Sequence, residues 1–219
     1  MIRFEDIKNN KTIRTYIEKA DDSLKALGYT EHSFAHVGLV AERTRYILEK
    51  LGADEKETEL AQIAAFMHDI GNLVNRVDHS QSGAVMAFRI LDNLGMEAED
   101  ISDIVTAIGN HDEGTGVPVS RMAAALIIAD KSDVRKTRVR DICDCKDDIH
   151  YRVNYSVNRS FLTINEDKTE ISLKLDIDTN ISSVMEYFEI FLTRMKLCKK
   201  AAETMGLDFK LFINEQQLL

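Results

Sequence analysis

Apolar residues recur every three or four positions through the first 130 residues, the period of helices buried on one face. From Asp6 to Leu27 the positions Ile7, Ile13, Ile17, Ala20, Leu24 and Leu27 predict an amphipathic helix closed by Gly28. Thr30 is the expected cap of a second helix, with Ser33 in its first turn. It carries Val37, Val40, Ala41, Thr44, Ile47, Leu48 and Leu51 and ends at Gly52. His32 and His36, four apart, would share its face. Asp54, with Glu57 completing a capping arrangement, opens a third helix through Leu60, Ile63, Ala64 and Met67 to His68. Asp78 caps a fourth, from His79 through Ala84, Val85, Phe88, Ile90 and Leu91 to Gly95. A fifth runs from about Ala98 through Ile101, Ile104, Val105 and Ile108 to His111. Ser120 opens a very apolar sixth, Met122 to Ala129, that reaches Asp130 directly.

Beyond Asp141 the pattern changes. Tyr151–Val157, Arg159–Asn165 and Thr169–Ile177 alternate polar and apolar residues, with a turn at Glu166-Asp167-Lys168, which predicts strands and at least one hairpin. A long helix follows, with Ile181, Val184, Met185, Phe188, Phe191, Leu192, Met195 and Cys198, and Gly206 stops it. The alternation Leu207, Phe209, Leu211, Ile213 predicts a last strand. The expected fold is mainly α: a helical bundle over 1–140 (core 25–140), with a small antiparallel β element in the C-terminal third. Residues 141–219, a hairpin plus a long helix, would pack on the same domain.

Composition narrows the function. A chain of 219 residues with 44% hydrophobic content can bury a substantial core, and one proline and ten glycines suit long helices. The net charge of -9 argues against a nucleic-acid polymer as partner, without excluding a small phosphorylated substrate held through a metal. No apolar run reaches the ~18 residues that cross a bilayer, and Met1 to Asn10 has no signal-peptide core. Cys143, Cys145 and Cys198 read as free thiols in a reducing cytoplasm.

The candidate chemistry centres on Ala64-Ala65-Phe66-Met67-His68-Asp69-Ile70-Gly71-Asn72, where an imidazole and a carboxylate end an apolar helix. Ionisable groups are seldom buried without a partner or a metal. Gly71 and Asn72 tolerate left-handed backbone, so the chain is expected to turn there. Five of the six histidines fall between residues 32 and 111. His36, His68, His79 and His111 sit on or at the ends of four successive predicted helices, with Asp69 and Asp130 comparably placed. Imidazole nitrogen with carboxylate oxygen is a common ligand set for divalent metals.

These residues resemble the HD superfamily of metal-dependent phosphohydrolases, in its HDIG variant. The likeness runs through His36 in His36-Val37-Gly38-Leu39-Val40-Ala41, through His68-Asp69-Ile70-Gly71, and through Asp130 in Ala129-Asp130-Lys131. It covers roughly residues 25 to 140. With His79 in His79-Ser80-Gln81-Ser82-Gly83-Ala84 and with His111, the motif is similar to that of the dinuclear HD-type hydrolases of diadenosine tetraphosphate. The basic run Lys131, Arg135, Lys136, Arg138, Arg140 is shared with that group. Asn72 departs from it, standing where a lysine commonly follows, as does the β-rich C-terminal extension. The resemblance implies that His36, His68, Asp69 and Asp130 hold one metal, and that His79 and His111 complete a second with Asp69 bridging. One or two divalent transition-metal ions are expected (iron, manganese, cobalt, nickel or zinc, with magnesium admissible). It implies cleavage of a phosphoester or phosphoanhydride of a nucleotide-like substrate by metal-bound hydroxide. Asp69 and Lys131 are the expected catalytic groups, and Arg76, Lys131 and Arg135 the expected phosphate contacts.

Plainer readings stand beside these. His79 can be a helix's first residue and His111 a helix-end cation. His32 reads as a surface group and His150 as structural or exposed. Lys131 to Arg140 reads most simply as an exposed, charge-mixed helix. The Phe188, Phe191, Met195 stripe reads as core or as a homodimer face. The rival to an enzyme is a regulatory module that senses a nucleotide or metal without turnover. An intact ligand set favours the enzyme.

Overall fold

Short polar side chains set where the helices begin. In the computed structural model, which describes residues 2–140 and 148–219, the Asn10 side chain accepts from the backbone N–H groups of Thr12 and Ile13. That cap divides the expected first helix into α1 (Phe4–Lys8) and α2 (Lys11–Ala26). Ser33, not Thr30, caps α3 (Phe34–Lys50), so His32 lies outside the helix. Asp54 caps α4 (Glu55–Met67) and Ser120 caps α7 (Arg121–Lys131), as expected. Between them lie α5 (His79–Asn93) and α6 (Ala98–Gly109). α4 is buried along nearly its whole length and packs against α3, α6 and α7.

The turn after His68-Asp69 is a single 3-10 segment, Ile70–Leu73, and neither Gly71 nor Asn72 takes a positive φ. Gly71 is required for another reason. A Cβ built there would lie 1.9 Å from the His79 carbonyl oxygen and 2.5 Å from the Gly83 nitrogen. The turn and the first turns of α5 thus touch backbone to backbone, which seats His79 beside Asp69.

In the C-terminal part the expected strand Tyr151–Val157 is instead α8 (Ile149–Ser156), capped by Asp148, with strand β1 (Val157–Ile164) directly after it. Tyr151, Val153, Tyr155 and Val157 alternate, but the Asp148 carboxylate accepts from the N–H groups of His150 and Tyr151 and starts a helix. β1 and β2 (Glu170–Ile177) form the expected antiparallel hairpin. α9 (Val184–Thr204) then crosses back, so that β3 (Asp208–Ile213) pairs with β2 in parallel, and a short β4 (Gln216–Gln217) finishes a mixed sheet ordered β1-β2-β3-β4. Ser183 and Glu186 form a reciprocal capping box at the start of α9.

α9 packs on α7, and Phe191, Met195, Cys198, Ala201 and Ala202 join the same buried cluster as the apolar face of α7. The Arg43 guanidinium donates to Ser132 Oγ (2.8 Å) and to the Ser160 carbonyl (2.9 Å), tying α3, the end of α7 and β1 together. Lys131 to Arg140 is not an exposed helix. It is a turn with a 3-10 segment (Lys136–Arg138) in which Arg138 is buried. Cys143 and Cys145 lie outside the described residues; Cys198 is buried and unbridged.

Candidate metal centre

Helix ends deliver the candidate ligands. His36 comes from the first turn of α3, His68 and Asp69 from the end of α4, and His79 from the first residue of α5. His111 follows α6, and Asp130 comes from the last turn of α7. All four imidazoles are buried. Each Nδ1 faces an oxygen: Asp133 Oδ2 for His36 (2.7 Å), and the carbonyls of Ala65 for His68 (2.7 Å), Arg76 for His79 (3.1 Å) and Ile108 for His111 (2.6 Å). An imidazole that donates through Nδ1 presents a bare Nε2, the form that binds metal.

The four Nε2 atoms converge on Asp69. Its Oδ2 lies 3.5 Å from His36 Nε2 and 3.2 Å from His68 Nε2. Its Oδ1 lies 3.4 Å from His79 Nε2 and 3.9 Å from His111 Nε2. One carboxylate thus divides the histidines into two pairs. Asp130 Oδ1 joins the first pair, 3.4 Å from His36 and 3.7 Å from His68. Ligand atoms of His36, His68 and Asp130 lie within 4.8 Å of one another, as do those of His68, Asp69 and His111. Among the described residues, His36 Nε2 and His68 Nε2 are buried without a hydrogen-bond partner, the state that a cation would satisfy.

Burial favours neutral imidazoles, yet the surrounding carboxylates outweigh it at two positions. Asp130, Asp133 and Asp69 raise His36 to about 9, and Asp69 and Asp130 raise His68 to about 10. His79 and His111 are lowered, chiefly by burial. Burial opposes the charges of Asp69 and Asp130, but the neighbouring histidines, with Lys131 beside Asp130, hold both well below the usual carboxylate range. The cluster therefore calls for positive charge at its centre, and a divalent ion that displaces protons from imidazole supplies it. The donor set suits such an ion.

The centre forms the floor of a cavity of about 370 Å³. Its described lining carries four carboxylates (Asp69, Glu113, Asp130, Asp148) and four cations (Arg76, Lys131, Arg138, Arg194), so a bound divalent ion leaves it net positive. Arg76 reaches Asn72 Oδ1 (3.3 Å) and lies over the Tyr29 ring, and Asn72 in turn donates to Asp69 Oδ1 (3.0 Å). Lys131 Nζ lies 2.7 Å from both Asp130 Oδ2 and Glu113 Oε2. Burial would raise the Glu113 carboxyl, but Lys131 and Arg194 hold it well below the usual range.

Arg135 is not in the lining; its guanidinium rests on Asp133 and Glu31. His32 is half-buried rather than on the open surface. It lines the cavity, its ring meets that of His36 edge-on at 5.3 Å, and burial lowers its pKa. His150 is exposed and also lines the cavity. Asp133, Asn72, Glu113 and Arg194 have no place in the sequence motif. The one signal for Asp133 is its position three residues after Asp130, in the same turn.

The chain is similar to known proteins. The uncharacterized protein MJ1020 of Methanocaldococcus jannaschii is 25% identical over 208 residues, covering 84% of this chain and 80% of that protein. The crystal structure of a predicted HD superfamily hydrolase from an uncultured Thermotogales bacterium aligns with a TM-score of 0.46 at 24% identity, over 57% of this chain and 68% of that one. Residues 33–144, which contain all six candidate ligands, match the HD domain family, and the chain belongs to that family.

Proposed function

We propose that this protein is a metal-dependent phosphohydrolase acting on a small phosphorylated substrate of nucleotide type. The observation that carries the reading is the position of Asp69, whose two carboxylate oxygens face two separate histidine pairs. His36, His68, Asp69 and Asp130 would hold one divalent ion; His79 and His111, with Asp69 between, would hold a second. Such ions supply Lewis acidity toward a phosphoryl oxygen and a water activated at neutral pH. The chain's own residues do the rest. Asn72 fixes the rotamer of Asp69, while the Nδ1 contacts fix the imidazoles. Arg76 and Lys131 supply cationic donors beside the ligands, one next to His79 and one next to Asp130. Burial of the ligands keeps bulk water from competing with the substrate. A cavity of about 370 Å³ suits a mononucleotide-sized ligand, and Tyr29 and Tyr151 give it aromatic surface.

The test is reconstitution with manganese, iron, cobalt, nickel, zinc or magnesium, followed by phosphate release from nucleoside monophosphates and nucleotide polyphosphates. Turnover that disappears in Asp69→Ala would support the reading. Full metal loading with no turnover across the panel would leave a sensing module.

A further inference from the structure

The phosphate contacts considered so far, Arg76 and Lys131, come from the part of the chain matched to the HD domain, which ends at residue 144. Arg194 does not. It sits on α9, yet it lines the same cavity as the metal ligands. Its Nε donates to Glu113 Oε1 at 2.7 Å, and its guanidinium lies over the Phe191 ring, 4.8 Å from the centroid. Among the described residues nothing engages its two terminal nitrogens. The head is therefore fixed by its inner edge and one face, while the fork that grips oxyanions is free. Glu113 also receives Lys131, whose other partner is the metal ligand Asp130. The chain of charges Asp130–Lys131–Glu113–Arg194 runs unbroken from the metal centre to α9.

We infer that Arg194 and Lys131 form the phosphate subsite of this cavity, with Glu113 as the internal anion that holds both cations in place until a phosphate takes over part of their charge. The ligand class is a phosphomonoester of a small organic molecule, whose terminal group offers two nonbridging oxygens to a guanidinium fork. A planar fork pinned through Nε needs little further ordering, so the contact forms at low entropic cost. Glu113 serves a second purpose: it offsets the charge of Arg194 and shares that of buried Lys131 with Asp130 when no anion is present. This inference rests on the phosphohydrolase reading above and assigns its substrate contact to the C-terminal extension.

The test is calorimetric titration of inorganic phosphate into dialysed, manganese-loaded full-length protein. Arg194→Gln is expected to weaken phosphate binding about tenfold or more while metal content and thermal melting stay at wild-type values. Arg194→Lys should recover only part of the loss, because a point charge does not replace the fork. Glu113→Gln should bind phosphate several-fold more tightly, since it removes the competing anion. Wild-type affinity in Arg194→Gln would overturn the inference and leave the phosphohydrolase reading standing. So would loss of metal in Arg194→Gln, or weaker binding in Glu113→Gln. No phosphate binding by the loaded wild-type protein would overturn the inference and the reading together.

Discussion

His36 and Asp133 stand 97 positions apart in the chain, yet Nδ1 of one lies 2.7 Å from Oδ2 of the other, and both side chains are fully buried. The other three imidazoles at the centre lean on neutral carbonyls. His36 alone among them has a charged support, which makes its Nε2 the more basic donor. Asp133→Asn keeps an acceptor in place and removes the charge. It is expected to lower divalent metal affinity about 10- to 100-fold, measured by competition with a chromogenic chelator. Unchanged affinity would reduce Asp133 to a packing role.

The same carboxylate sets an acid limit on stability. Burial alone would raise its pKa, but His36, Arg138 and Arg135 hold it well below the usual carboxylate range. The folded value lies below the unfolded one, so the unfolded chain binds the proton more readily. The stabilisation is complete above about pH 4 and is lost as pH falls through the depressed value. Denaturant melts of the metal-free protein between pH 5 and pH 2 should fall more steeply for wild type than for Asp133→Asn. Parallel curves would count against this source of acid sensitivity.

Gly71→Ala forces a methyl group into the carbonyl of His79 and the N–H of Gly83, two backbone groups that a side-chain rotation cannot move aside. A loss of about 3 kcal/mol or more in folding stability is expected, readable as a large drop in melting temperature. Because the same contact seats His79, metal content should fall alongside. A melt like that of wild type would mean that the turn and α5 separate without cost.

His79→Ala and His111→Ala test the two-ion arrangement. Metal analysis after reconstitution should drop from about two ions per chain to about one in either variant, with the His36 pair still loaded. A wild-type content of about one ion, unchanged in both variants, would restrict the centre to His36, His68, Asp69 and Asp130.

The convergence of the candidate ligands was legible in the sequence because each is a polar residue of restricted type at the end of an apolar helix, and the spacing His36, His68-Asp69, Asp130 belongs to a known family. The hairpin was legible from alternation around Glu166-Asp167-Lys168. α8 was not, because Tyr151, Val153, Tyr155 and Val157 satisfy a two-residue period as well as a helix does, and the deciding group, Asp148, is a single cap. Asp133, Asn72 and Arg194 escaped because their roles exist only through partners. Arg194 and Glu113 are 81 positions apart, and nothing local marks either one. Arg135 stands outside the cavity lining for a related reason: its own neighbour, Asp133, claims it.

The parallel pairing of β2 with β3 has a consequence for how the protein is made. All six candidate ligands lie within residues 36–130, so they emerge from the ribosome before any strand does. Arg194 follows, but α9 is fastened at its far end only when residues 208–213 dock beside β2. During synthesis the candidate ligand cluster can therefore assemble before the α9 wall of the cavity is in place. The candidate ligands are thus made first, and the cavity wall that α9 supplies is made fast only once β3 has docked beside β2.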